Sequence, residues 1–159
     1  MTSIPAAPVR IIGIGSPFGD DRMGWHIVEA LERDAYLSRF PRQHLSFIKA
    51  DRPGAGLLDL MRGASLVILV DAMKSGAAPG SVKRLEAPEL ENISAPLSSH
   101  GFGVASALSL ARVLDDMPAR LVVYGIEAGE TAGLESLLSH FDIDQMTRKI
   151  AFDIEQLNL

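Results

Sequence analysis

Residues 65–72 read SLVILVDA, five consecutive apolar side chains from Leu66 to Val70 that stop abruptly at the carboxylate of Asp71. A run this short, continuously apolar and rich in β-branched residues fits a strand covered on both faces, which is how a parallel sheet buries its strands. Two more segments have the same character: VRIIGIG at 9–15 and RLVVYGI at 120–126. HLSFIKA at 44–50 alternates well enough for a further strand, and the charged stretch 81–86 suits a strand at a sheet edge.

Helical periodicity fills the intervals. Apolar residues recur at Met23, Ile27, Leu31 and Ala35, with Val28 and Ala30 beside them. A short helix is expected over 57–61 and a strongly apolar one over 102–114, with Ser98 or Ser99 as its N-cap. Asp142 is placed to cap a last helix whose Ile143, Met146, Ile150, Ile154 and Leu157 keep one face apolar. This order of strands and helices predicts a three-layer α/β/α sandwich with a mainly parallel twisted sheet of about five strands, one edge strand antiparallel. The 159 residues are expected to form one domain, 1–159, large enough to hold a core without disulfides or structural metal.

Composition narrows the function. There are no cysteines, which excludes a disulfide framework, a thiolate metal site and a cysteine nucleophile. The net charge of −5 is spread along the chain without a basic stripe, against nucleic-acid binding. The opening MTSIPAAPVR lacks the basic and apolar regions of a secretory signal, and no apolar run approaches a membrane span. The expected location is the cytoplasm.

Doubly wound sheets hold their sites beyond the carboxyl ends of the strands. The first strand runs out into Asp20 and Asp21, the third ends on Asp71, and His100 precedes the apolar helix. Each has a structural reading of its own: an Asp there can be a cap or turn residue, and His100 a surface side chain. Their shared location points to a site, since carboxylates with an imidazole form a ligand set for nickel, zinc or a similar divalent ion. Glu127, at the end of the last strand, is either an auxiliary acid or, by preference, a solvent-exposed structural residue. His26 reads as a packed or half-exposed helical side chain.

Two rival chemistries have partial signatures. Gly13-Ile14-Gly15 after a strand opens a dinucleotide fingerprint, and Asp51 could bind a ribose. Phe18 nevertheless stands where the third glycine belongs, and Asp20 and Asp21 would repel a pyrophosphate. A serine hydrolase lacks its G-x-S-x-G elbow, and Ser98 and Ser99 lie too close in sequence to His100 to complete a triad with it.

Four pieces of the chain together resemble one family. IIGIGSPFGDDRMGWHIVEAL (11–31) is similar to the opening signature of the hydrogenase maturation endopeptidases, which process nickel–iron hydrogenase large subunits. VILVDAM (67–73) looks like that family's third strand with its terminal Asp, SSHGFGVASAL (98–108) like the segment carrying its His, and VYGIEAGE (123–130) like its last strand and loop. The pieces stand in family order. The resemblance implies an α/β/α fold and a metal-dependent, aspartic-type endopeptidase that removes a C-terminal extension from the large-subunit precursor after nickel insertion. It assigns metal recognition, and with it the catalytic role, to Asp21, Asp71 and His100, with nickel presented by the substrate. Ser16 replaces the family's usual Asn, Arg22 follows the acidic pair where many relatives have Gly, and the intervening loop is one residue short. These departures mark a divergent subgroup, and keep open a metal-dependent binding protein that docks on the precursor without cutting it.

Overall fold

The computed structural model describes residues 7–16, 22–86, 104–128 and 141–157. Five strands form one sheet: β1 (Val9–Gly15), β2 (Leu45–Asp51), β3 (Leu66–Met73), β4 (Val82–Glu86) and β5 (Arg120–Glu127), in spatial order β2-β1-β3-β5-β4. The β1–β2, β1–β3 and β3–β5 pairs are parallel, and β4 runs antiparallel to β5 at the edge. Four helices are present among the described residues: α1 (Met23–Arg33), α2 (Leu57–Met61), α3 (Val104–Val113) and α4 (Ile143–Glu155). The mainly parallel sandwich expected from the strand–helix alternation is the architecture found, with the charged strand at the edge.

Strand parity separates the two layers. Val9 and Ile11 of β1, Leu66, Ile68 and Val70 of β3, and Val122, Tyr124 and Ile126 of β5 join α1 and α4 in one apolar cluster. The alternate residues, Ile12 and Ile14, Val67 and Leu69, Leu121 and Val123, meet α2 and α3 in the other. Because β1, β3 and β5 are central, both faces must be apolar, which explains their unbroken hydrophobic runs. Alpha1 presents Met23, Ile27, Val28 and Leu31 to the sheet, and Trp25 Nε1 donates to the Ala50 carbonyl at 3.0 Å, tying the helix to the end of β2. Alpha4 begins at Asp142, whose side chain accepts from the Gln145 N–H as expected of an N-cap.

Polar anchors lie near the strand starts. Arg10 is buried, and its guanidinium donates to the carbonyls of Ala7 (3.0 Å), Leu60 (3.1 Å) and Arg62 (2.6 Å). Burial lowers its pKa from the ordinary value. Past α2, Arg62 bridges Asp59 (2.6 Å) and Asp116 (2.8 Å), linking the segments that enter β3 and β5. Asp153 of α4, also buried, accepts from Tyr124 Oη at 2.8 Å and pairs with Arg84 at 2.6 Å. Arg84 and Arg120 in turn hold Glu86 (3.1 and 2.6 Å). This network fastens the antiparallel edge strand to both β5 and α4. Burial, then the Asp153 carboxylate, pushes the Tyr124 hydroxyl well above its usual range.

Candidate active site

Asp71 is two residues from the end of β3 and only 3% exposed. Its Oδ1 accepts the Ala72 N–H at 2.9 Å. By parity it belongs to the α2/α3 face, following Val67 and Leu69. Its partner in register on β5 is Gly125, which has no side chain. A glycine inside an otherwise apolar strand marks a place where something approaches the backbone closely.

The start of α1 is driven down onto the same end of the sheet. A β-carbon added to Gly13 would lie 2.5 Å from the Gly24 carbonyl oxygen and 2.6 Å from Val28 Cγ2. One added to Gly24 would collide with the Ile14 carbonyl oxygen and come within 2.9 Å of that of Val70. Gly24 thus touches the residue immediately before Asp71. The glycine that opens a nucleotide-like fingerprint is therefore used here for helix–strand contact, and Asp51 forms an ion pair with Arg52 at 2.8 Å.

Alpha3 brings a third segment to this edge. Its last turn leads through Met117 to Arg120, where β5 begins, so α3 runs against the strands and starts at their carboxyl ends. Val104, the first residue of α3, is buried on Asp71's face of the sheet. Asp20, Asp21 and His100 lie outside the described residues. Ser16, in contrast, is described: it follows β1 and is 1% exposed. Among the described residues no group of three or more His, Asp or Glu side chains could hold a metal ion.

Glu127 departs from the sequence expectation. It is 2% exposed rather than solvated. Its carboxylate accepts from Ser75 N–H (3.0 Å to each oxygen), Ser75 Oγ (2.8 Å) and Gly76 N–H (3.3 Å). The burial comes from the loop after β3, which returns over the end of β5. His26 is half-buried on α1, matching the packed or half-exposed side chain expected there.

Comparison with known proteins identifies the family and the fold. The family model HycI, hydrogenase maturation protease, matches residues 25–150, well over half of the chain. The hydrogenase expression/formation protein HupD of Thiocapsa roseopersicina is 28% identical over 152 residues, covering 94% of this chain and 67% of that protein. The hydrogenase 2 maturation protease of Escherichia coli K12 is 28% identical over 121 residues, covering 74% and 71%. Among solved structures, the hydrogenase maturating endopeptidase HybD from E. coli superposes with a TM-score of 0.67 at 22% identity, over 93% of this chain and 92% of that one. At that identity the superposition speaks for the shared fold.

Proposed function

The chain belongs to the hydrogenase maturation protease family, and from that premise we propose that it is an endopeptidase removing a C-terminal extension from a nickel-loaded hydrogenase large-subunit precursor. Proteases of this family are peptidases acting on hydrogenase; the metal gate and the three residues are the further step. Asp21 and Asp71 supply oxygen ligands, and His100 a nitrogen ligand, to nickel that the precursor presents. The metal is part of the substrate. Three protein ligands leave coordination positions for the precursor's own groups, and the set is chemically suited to a borderline ion such as nickel.

The observation that carries this reading is the buried carboxylate of Asp71 near the end of β3; from the other face of the sheet, Gly24 of α1 closes on the carbonyl of Val70, the residue just before it. Gly24 stands three residues after Asp21, and three trans peptide units span at most about 11 Å. Val104 stands four residues after His100, on Asp71's own face. Gly24 and Val104, the described residues from which those two distances are counted, both lie at the carboxyl end of the sheet, on opposite faces. The precursor docks there, and its nickel orients the scissile bond. Positioning of this kind is worth on the order of 7–11 kcal/mol in favourable cases. A cytoplasmic location and a single domain are part of this proposal.

Three reactions test the gate: metal-free precursor, nickel-loaded precursor, and isolated C-terminal peptide with added nickel. Mass spectrometry should show loss of the extension from the nickel-loaded precursor alone. Equal cleavage in all three would remove the metal gate even if the protein proved to be a peptidase, and docking without any mass loss would favour a non-catalytic binding protein.

A further inference from the structure

The loop that joins β3 to β4 begins two residues beyond Asp71's neighbour Ala72 and runs Lys74-Ser75-Gly76-Ala77-Ala78-Pro79-Gly80. Lys74 through Pro79 are exposed. Exposed loops are ordinarily loose, because few contacts restrain them. This one is tied at both ends to a single residue. At its start, Ser75 and Gly76 donate to the Glu127 carboxylate. At its end, Gly80 N–H donates to the Glu127 carbonyl at 2.9 Å and Glu127 N–H to the Ser81 carbonyl at 2.9 Å. Ser81 closes the last turn by donating from N–H and Oγ to the Ala78 carbonyl.

Backbone conformation fixes the rest of its shape. Gly76 and Gly80 adopt φ of +88° and +86°, which L side chains rarely adopt, yet a β-carbon at either would meet nothing within 4 Å. These glycines are required by the path of the chain and not by crowding. The loop must step over the end of β5, which separates β3 from β4 in the sheet. That step calls for a connection, but not for a buried carboxylate, whose removal from water is costly unless it is fully hydrogen-bonded. The side chains between the ties are those of Ala77, Ala78 and Pro79, so what the loop offers to solvent there is largely backbone of defined shape.

We propose that the 74–80 loop is a pre-formed docking edge for the folded hydrogenase precursor, held in shape by Glu127; this rests on the activity proposed above. The loop leaves β3 three residues after Asp71, and this selects the occupant: a partner delivering its metal to that carboxylate comes to the same rim of the sheet. Small residues let two backbones come close, and a loop already ordered forfeits less entropy on binding than one ordered by its partner. Glu127 is here a positioning residue, acting through the loop and not on the scissile bond.

The test uses the full chain with Gly76→Ala, Gly80→Ala and Glu127→Gln. The two glycine variants alter loop path without touching the core, so they remain informative if Glu127→Gln fails to fold. Steady-state processing of the nickel-loaded precursor should show KM raised about tenfold with kcat unchanged, the pattern of lost binding common to ground and transition states. Binding of immobilised metal-free precursor should weaken in parallel, since docking at the loop does not involve the metal. Variants with wild-type KM and wild-type binding, or with kcat lowered at constant KM, would overturn the proposal. A wild-type chain that does not bind metal-free precursor would overturn it too. If no preparation cleaves but wild type binds and Gly80→Ala binds poorly, the activity reading fails while the docking edge stands.

Discussion

Gly13 and Gly24 meet with no room for a β-carbon on either, the built Gly13 β-carbon lying 2.5 Å from the Gly24 carbonyl oxygen. The obstacle on the Gly24 side is also backbone, the Ile14 and Val70 carbonyls, so rotamer changes cannot relieve it. Gly24→Ala should therefore lower stability by about 1–3 kcal/mol, the range for overpacking a tight interior. It should also lift the first turn of α1 off the strand end that carries Asp71. A thermal melt with the midpoint of wild type would show that the close approach is dispensable.

Asp71 is buried, so its removal is not the neutral surface change that a strand-end aspartate suggests. A buried carboxylate costs stability unless its bonds compensate, and functional sites commonly hold such costs. Asp71→Asn should keep or raise the melting temperature while lowering processing about 10²-fold or more, the size of effect that loss of one preorganised electrostatic contact produces. Processing at the wild-type rate would take Asp71 out of the site.

Glu86 supplies a pH dependence with a definite sign. The Arg120 guanidinium, opposed in part by burial and aided by Arg84, holds the Glu86 carboxyl below its ordinary value of 4.5. A carboxylate with a lowered folded pKa contributes stability that is fully present above the unfolded value and is lost as pH falls through the folded one. Glu86→Gln should lose that contribution at neutral pH and flatten the decline of stability below about pH 4.5. Chemical denaturation across that range reads it directly; parallel acid limbs for the two proteins would contradict the assignment.

The sheet was legible because its central strands are apolar on both faces. The boundaries expected for β1 and α2 coincide with those found, and β3 is displaced by one residue, from 65–72 to Leu66–Met73. The charges of β4 foretold its edge position. What local pattern does not carry is pairing between distant segments. Glu127 looked solvated because nothing near it in sequence reveals Ser75 arriving 52 positions away to bond it. Gly13 looked like part of a phosphate loop because its true partner, Gly24, lies across a layer boundary. Asp71 could be picked out because a charge ending an apolar strand stands out in a linear reading; that Gly125 flanks it depends on the β3–β5 register.

Three arginine networks described above lie toward the end of the sheet where the parallel strands begin and the antiparallel β4 ends: Arg10 on Ala7, Leu60 and Arg62; Arg62 on Asp59 and Asp116; Arg120 and Arg84 on Glu86 and Asp153. Asp71, Gly125 and the 74–80 loop sit at the opposite rim. These arginine networks and the proposed recognition site therefore occupy different poles of one molecule. Insertions or substitutions at the recognition pole leave the anchoring ion pairs untouched, so the rim can be re-cut for another precursor without refastening the base. Ser16, which follows β1, and Arg22, which precedes α1, also lie at that pole.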